Sequence, residues 1–249
     1  MLALRGVTKQ FGGLRALNGV SLEVTRSEIR GLIGPDGAGK TTLLNIISGV
    51  LASTGGSIEL DGQPLTGRKS HEVSRLGIAR TFQQLTLFGG MTVLENVMVG
   101  LHRQLDGPFS PVARRGRAES WGRDAALELL RRFGLESSAD GPIDKLSVGE
   151  RKRLELVRAL ATRPRVLLLD EPAAGLSPAE VKDLTGVLLD LRERDGITIL
   201  LVEHIMEFVM GVCERITVLS FGEVLAEGTP DEIKTDPRVI EAYLGKRPV

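Results

Sequence analysis

The sequence predicts an α/β domain with a parallel sheet and an antiparallel β subdomain. Three observations predict it. Gly34-Pro35-Asp36-Gly37-Ala38-Gly39-Lys40-Thr41-Thr42 fits the pattern G-x-x-x-x-G-K-[ST]. The apolar run Ile29 to Ile33 before it reads as a buried strand, and Leu43 to Ile47 after it as a helix. Two further short apolar runs, Arg165 to Leu169 (after its first residue) and Thr198 to Val202, alternate with helical stretches. Strands apolar on both faces belong to a parallel sheet covered by helices.

Taken in order, residues 2–25 read as antiparallel strands, with Gly12-Gly13 as a turn. Ala52 to Gly56 reads as a loop, Ser57 to Leu60 as a short strand and Asp61-Gly62 as a hairpin turn. Residues 70–80 are amphipathic. Leu85 to Val93 is apolar and turn-rich and fits neither a helix nor a strand. Over 101–145 the composition changes: Arg103, Arg114, Arg115, Arg117 and Arg123 are interleaved with Gly107, Pro108, Pro111 and Gly116. Ala125 to Phe133 then reads as a helix with Leu127, Leu130 and Phe133 on one side. The expectation is a helical subdomain over about 96–145, inserted in a single domain whose core and β subdomain take in 1–95 and 146–249. The arginines read as a solvated face, with contact to lipid head groups or a partner as the other reading.

Ser147 with Glu150 is a capping box opening a helix to about Ala161, its inner face Leu154, Val157, Leu160 and Ala161. Ser177-Pro178-Ala179-Glu180 is a second, opening a helix to about Arg194. Ile216 to Leu219 and Glu223 to Ala226 flank Phe221-Gly222 as a hairpin. Pro230 to Gly245 reads as two short helices broken at Pro237.

Composition bounds the rest. The 249 residues are 42% hydrophobic, and Lys+Arg and Asp+Glu are 32 each. A net charge of zero argues against a nucleic-acid binder working through a dominant basic field. The single Cys213 leaves no disulfide framework or cysteine zinc site and fits a reducing compartment. Met1 to Gly6 is too short an apolar stretch for a signal peptide. The apolar run Ile197 to Cys213 is broken by Glu203, His204 and Glu207, so a soluble chain is expected, with any membrane role coming through a partner.

The chemistry follows from the loop. Its glycines let backbone N–H groups turn toward phosphates, and a helix N-terminus presents unsatisfied N–H groups to an anion. Lys40 reaches the outer phosphates and the Thr41 hydroxyl binds Mg²⁺. Asp170 ends a buried strand, where an open α/β sheet places ligands, and can hold Mg²⁺ through a water. Glu171 can orient or deprotonate the attacking water, worth about 10²–10⁴ in rate. His204, at the end of another strand, can donate to a γ-phosphate. Gln83 can bind Mg²⁺ or the water. Phe11 can stack on an adenine ring or serve as a core or edge-strand residue.

Together these residues resemble the ATP-binding cassette (ABC) family over nearly the whole chain, which implies an α/β phosphate-loop NTPase (RecA-like) core with an antiparallel β subdomain and an inserted helical subdomain. Gly34 to Thr42 resembles its Walker A, Leu167 to Glu171 its Walker B and Leu146 to Glu150 its L-S-G-G-Q signature. Gln83 falls at the Q-loop, Ala174 to Ser177 at the D-loop, His204 at the H-loop and Phe11 at the A-loop. Phe11-Gly12-Gly13-Leu14, Ala79 to Gln83, Met91 to Asn96, Pro172 to Leu176 and Ile240 to Gly245 resemble the ATP-binding subunits of bacterial branched-chain amino acid importers, and relatives for urea or other small polar solutes share much of this. Three positions depart: Asp36 stands for Asn, Val148 for Gly and Glu150 for Gln. Val148 requires a loop conformation that suits a β-branched residue.

The resemblance implies a Mg²⁺-dependent ATP hydrolase on the cytoplasmic face of the inner membrane, held there peripherally. ATP then lies between the Walker side of one subunit and Ser147, Val148, Gly149 and Glu150 of another, so the unit is a homodimer or a heterodimer with a paralogous ATP-binding subunit. Permease subunits supply the membrane path, a solute-binding protein takes part indirectly, and no nucleic acid is involved. Leu85 to Met91 is the candidate docking segment, or else an ordinary core loop. A non-transport ABC ATPase is the rival class. About a hundred residues without sustained heptads separate Walker A from the signature, which speaks against the long coiled coils of repair and chromosome proteins.

Overall fold

The computed structural model describes residues 1–83, 86–105 and 115–244, and only the backbone of 103–105 and 115–120. Gln84, Leu85, Gly107, Pro108, Pro111, Arg114 and Gly245, and the side chains of Arg103, Arg115 and Arg117, lie outside the described residues. In chain order the elements are β1 (Leu2–Phe11), β2 (Leu14–Val24), β3 (Ile29–Ile33), α1 (Lys40–Ile47), β4 (Gly55–Leu60), β5 (Gln63–Pro64), α2 (Ser70–Arg75), β6 (Ile78–Arg80), α3 (Val93–Leu105), α4 (Arg115–Arg132), α5 (Val148–Ala161), β7 (Val166–Asp170), α6 (Pro178–Glu193), β8 (Thr198–Val202), α7 (Met206–Val212), β9 (Arg215–Ser220), β10 (Glu223–Gly228), α8 (Pro230–Thr235) and α9 (Pro237–Leu244).

The chain forms two compact units, Met1–Arg80 with Arg165–Val249, and Thr81–Pro164. The first unit holds both sheets. One is antiparallel, in the order β2-β1-β4-β5. The other runs β10-β9-β3-β8-β7-β6, and only β10 is antiparallel to its neighbour. Every residue of β3, β7 and β8 is buried, which is why these strands read as apolar runs without alternation. The polar exceptions are satisfied. Thr198 accepts a hydrogen bond from the Ser27 N–H at 3.0 Å. Buried Arg30 pairs with Glu28 at 2.6 Å and with Glu227, as a charge removed from water requires. The C-terminal ends of β3, β7 and β8 thus share one sheet edge.

The amphipathic stretch 70–80 divides into α2 and the parallel edge strand β6. Three residues are too few to show a period. Strand β8 falls where expected, at Thr198–Val202, and the stretch after it forms α7, whose 7 residues are too few to announce a 3.6-residue period. The division of 70–80 and the presence of α7 differ from the sequence expectation.

In the second unit α4 begins at Arg115, ahead of the expected Ala125, and buries Ala126 and Leu130. The expected helical insert 96–145 lies inside this unit, which also takes in α5. Helices α3 and α5 approach closely at Gly100, where a Cβ would stand 2.4 Å from the Arg158 carbonyl oxygen. Among the described residues no helix is long and apolar enough to cross a membrane.

Candidate nucleotide site

The loop after β3 is shaped by glycine at its two ends. Gly34 has φ +149°, and a Cβ there would lie 2.0 Å from the Leu219 carbonyl oxygen. Gly39 has φ +102°, and its Cβ would strike Leu17 at 2.7 Å and the Ala16 carbonyl oxygen at 2.8 Å. Gly39 is also the N-cap of α1. It supplies no side-chain cap, and the first turn holds no acid. The first N–H groups of α1 are therefore left for an external acceptor. Between these ends the Ala38 N–H donates to the Pro35 carbonyl at 3.1 Å. From behind, the Gly222 N–H donates to the Ala38 carbonyl at 3.1 Å, and the Asn18 N–H to the Gly222 carbonyl at 2.8 Å. The β9–β10 turn thus fastens the loop to β2.

Lys40 Nζ donates to the carbonyls of Gly34 (2.6 Å) and Pro35 (2.9 Å). Burial pushes its pKa down, against the opposing pull of the Asp36, Glu171 and Asp170 carboxylates. That set of perturbing charges brings the loop and the end of β7 into one electrostatic neighbourhood. Asp36, Gly37 and Thr41 are exposed and Pro35 and Thr42 half-buried. Asp36 is exposed, so its interactions with charged groups are screened by solvent.

Asp170 ends β7 and is buried. Its Oδ2 accepts from Arg80 Nη2 at 2.9 Å, and Arg80 Nη1 donates to Asn45 Oδ1 (2.7 Å) and Ser48 Oγ (3.1 Å). Arg80 thereby joins β6, β7 and α1. Burial raises the Asp170 pKa, with Arg80 the main opposing influence. Glu171 follows with φ +50°, a left-handed conformation that costs a non-glycine residue about 1–3 kcal/mol. Its N–H donates to the Val202 carbonyl at 2.9 Å, so the strained turn is tied to β8. His204, largely exposed, sets Nδ1 3.9 Å from Glu171 Oε1 and 3.9 Å from Glu203 Oε2. The sheet edge therefore assembles Lys40, Asp170, Glu171 and His204. The Thr41 hydroxyl and the Asp170 carboxylate are hard oxygen donors of the kind Mg²⁺ takes, usually one or two from the protein with phosphates and waters for the rest.

Phe11 closes β1 with its ring 47% exposed, and Lys9 Nζ stands 4.9 Å from the ring centroid. An exposed ring fits the stacking role better than a core role.

The remaining expected site residues lie in the second unit. Ser147 caps α5: its Oγ accepts from the Glu150 N–H at 3.2 Å, and Glu150 Oε2 accepts from the Ser147 N–H at 2.8 Å. Val148 is the first helical residue and has no positive φ, so its β-branch meets no strain; Gly149 is buried. Gln83 is exposed, in a loop anchored on α5. There Glu155 Oε1 accepts from the Phe82 N–H (3.4 Å) and the Thr86 hydroxyl (3.0 Å), and Arg158 donates to the Thr86 carbonyl (2.7 Å). Burial raises the Glu155 pKa.

Sequence reasoning missed Arg80, Glu155 and Glu203. The available signal was a charged residue inside or flanking a buried element, which requires a partner. The partner itself is invisible to periodicity.

Known proteins agree with this geometry. The ABC transporter family model matches residues 17–174, and the model of the branched-chain amino acid ATP-binding cassette transporter matches 223–248. The chain is 46% identical over 252 residues to the high-affinity branched-chain amino acid transport ATP-binding protein LivG of Salmonella typhimurium, across 99% of this chain and 98% of that one. A nucleotide-free ATP-binding cassette from an ABC transporter superposes with TM-score 0.85 at 33% identity, covering 99% of both chains. A dimeric bacterial ABC transporter cassette superposes with TM-score 0.80 at 32% identity, covering 92% of this chain and 99% of that one. With an uncapped phosphate loop, a Walker B strand end and a signature helix all present, the chain belongs to the ATP-binding subunits of the ABC transporter family.

Proposed function

We propose that this chain is the ATP-hydrolysing subunit powering import of branched-chain amino acids across the bacterial inner membrane. The observation that carries the solute class is the match at residues 223–248. The phosphate loop and Walker B are common to all cassettes, whereas this tail narrows the group, and the likeness to LivG extends over the full length.

In this reading Phe11 stacks on the adenine, and the N–H groups from Gly37 to Thr42 cradle the phosphates. Lys40 leaves the Gly34 and Pro35 carbonyls for the outer phosphates. Thr41 and Asp170 would hold Mg²⁺, and the ion would supply neutralisation of developing phosphate charge. Glu171 takes a proton from the attacking water, and His204 donates to the γ-phosphate. Ser147 and Gly149 meet the ATP of a second cassette, identical or paralogous. The Ser147 hydroxyl accepts from the Glu150 N–H and retains its own proton to donate. Closing around ATP and reopening after hydrolysis drives permease subunits, which a solute-binding protein supplies, with this chain peripheral at the cytoplasmic face. In the segment expected to dock on the permease, Phe88 and Met91 are exposed, and Asn96 holds the Phe88 backbone through its N–H (2.9 Å) and carbonyl (3.2 Å).

The test is uptake by proteoliposomes holding the permeases, this subunit and the binding protein. ATP-dependent accumulation of labelled leucine is expected, with none of urea; the reverse pattern overturns the solute class. Glu171→Gln is expected to bind ATP, trap a dimer and turn over at least about a hundredfold more slowly. Phe88→Ala is expected to retain ATP binding and lose transport, and full transport by that variant removes the docking role.

A further inference from the structure

We propose that Glu203 is a positioning residue for hydrolysis, one carboxylate that fixes the turn after Glu171 and the backbone of His204 in a single arrangement. The inference rests on the roles proposed above for Glu171 and His204.

The side chain is fully buried, beside a His204 side chain that is 58% exposed. Ionised carboxylates are rarely buried without partners. Here the partners are backbone N–H groups from both strand ends. Oε1 accepts from the Ala173 N–H at 2.7 Å. Oε2 accepts from the N–H groups of His204 (3.0 Å) and Ile205 (3.4 Å). Ala173 lies two residues past Glu171, in the turn after β7, and Ile205 is the N-cap of α7. Each oxygen therefore serves one strand end.

The turn needs such a tie. Glu171 has a left-handed backbone; its own N–H donates to the Val202 carbonyl, and the Ala174 N–H donates to its carbonyl at 3.2 Å. Strained conformations persist where surrounding bonds over-determine them. Through Ala173 on one side and His204 on the other, Glu203 holds Glu171 Oε1 and His204 Nδ1 at the 3.9 Å spacing observed. Misplacement by about 1 Å at a reacting centre can cost about 10²-fold in rate.

Glu203→Gln tests this, because an amide has one acceptor oxygen and cannot serve both sides. In the assembled transporter, kcat is expected to fall about tenfold or more with the KM for ATP within about twofold, the mark of a group acting on the chemical step. In a His204→Ala background the same change is expected to cost less than it does in the wild type, the share carried through Ala173 and Glu171 remaining, because coupled residues are non-additive. In the purified subunit, hydrogen exchange at the amides of Ala173, His204 and Ile205 is expected to quicken while β7 and β8 remain protected. Wild-type kcat, a full multiplicative loss in the His204→Ala background, or unchanged exchange overturns the proposal. If Glu203→Gln does not fold, Glu203→Asp carries the same comparison, because an arm one methylene shorter cannot reach the Ala173 and His204 N–H groups together. If His204→Ala and Glu171→Gln themselves turn over at the wild-type rate, the site roles fail, and the positioning role falls with them rather than on its own evidence.

Discussion

The first turns of α1 and α5 begin with the same unpaired N–H groups and treat them in opposite ways. At α1 the N-cap is Gly39, in a left-handed conformation with no side chain to offer. At α5 Ser147 and Glu150 cap each other's N–H groups. A helix that needs only stability takes a capping box, worth about 1 kcal/mol. Leaving α1 open sacrifices that stability and preserves an anion site. The same four-residue grammar recurs at α6 and α8, capped by Ser177 and Thr229. The open end of α1 contrasts with these three capped ends, and α5 combines a closed cap with a hydroxyl proton still available.

The largest expected effect comes from closing the open end. Gly39→Ser adds a capping hydroxyl, but its Cβ meets Leu17 and Ala16 and its φ is strained. Binding of a fluorescent ATP analogue is expected to weaken at least about a hundredfold, consistent with a cost of about 3 kcal/mol or more. Wild-type affinity would break the comparison. Next, Ser147→Ala opens the closed end. A thermal melt is expected to show about 1 kcal/mol lost, ATP binding to the isolated subunit unchanged, and turnover of the assembled transporter reduced about 10²-fold. Turnover falling only as much as stability would reduce Ser147 to a cap.

Glu150→Gln is expected to be milder. Gln also completes a capping box, so stability stays within about 0.5 kcal/mol, while removal of an anion beside the partner's phosphates improves the apparent affinity for ATP severalfold. Unchanged affinity places the carboxylate away from the nucleotide. The smallest effect is in acid. The Ser147 N–H holds the Glu150 carboxyl below the ordinary range. Its contribution to stability is therefore present above the unfolded value and lost as pH falls through the lower native one. Glu150→Gln is expected to flatten that limb in pH-dependent melts.

Much of the site was legible because its residues stand where elements begin and end. Asp170 follows four apolar residues and had to emerge at a sheet edge; Ser147 and Glu150 announced a cap by spacing alone. Arg80, inside the Ala79 to Gln83 stretch, carries no local sign of its partner, yet it is the cation that meets Asp170. Its partners Asn45, Ser48 and Asp170 are distant in sequence and meet only when α1, β6 and β7 pack. Strand β6 and helix α7 were likewise hidden, each too short to show a period.

The sequence by itself determined the phosphate loop, the buried strands and the capped helices, because glycine placement, apolar runs and four-residue caps are local chemistry. Tertiary structure alone decided that Arg80 pairs with Asp170 and that Glu203 is shared between two strand ends. Those outcomes depend on which partner, charged or backbone, each buried charge meets across the sheet, and burial makes finding a partner obligatory without naming it.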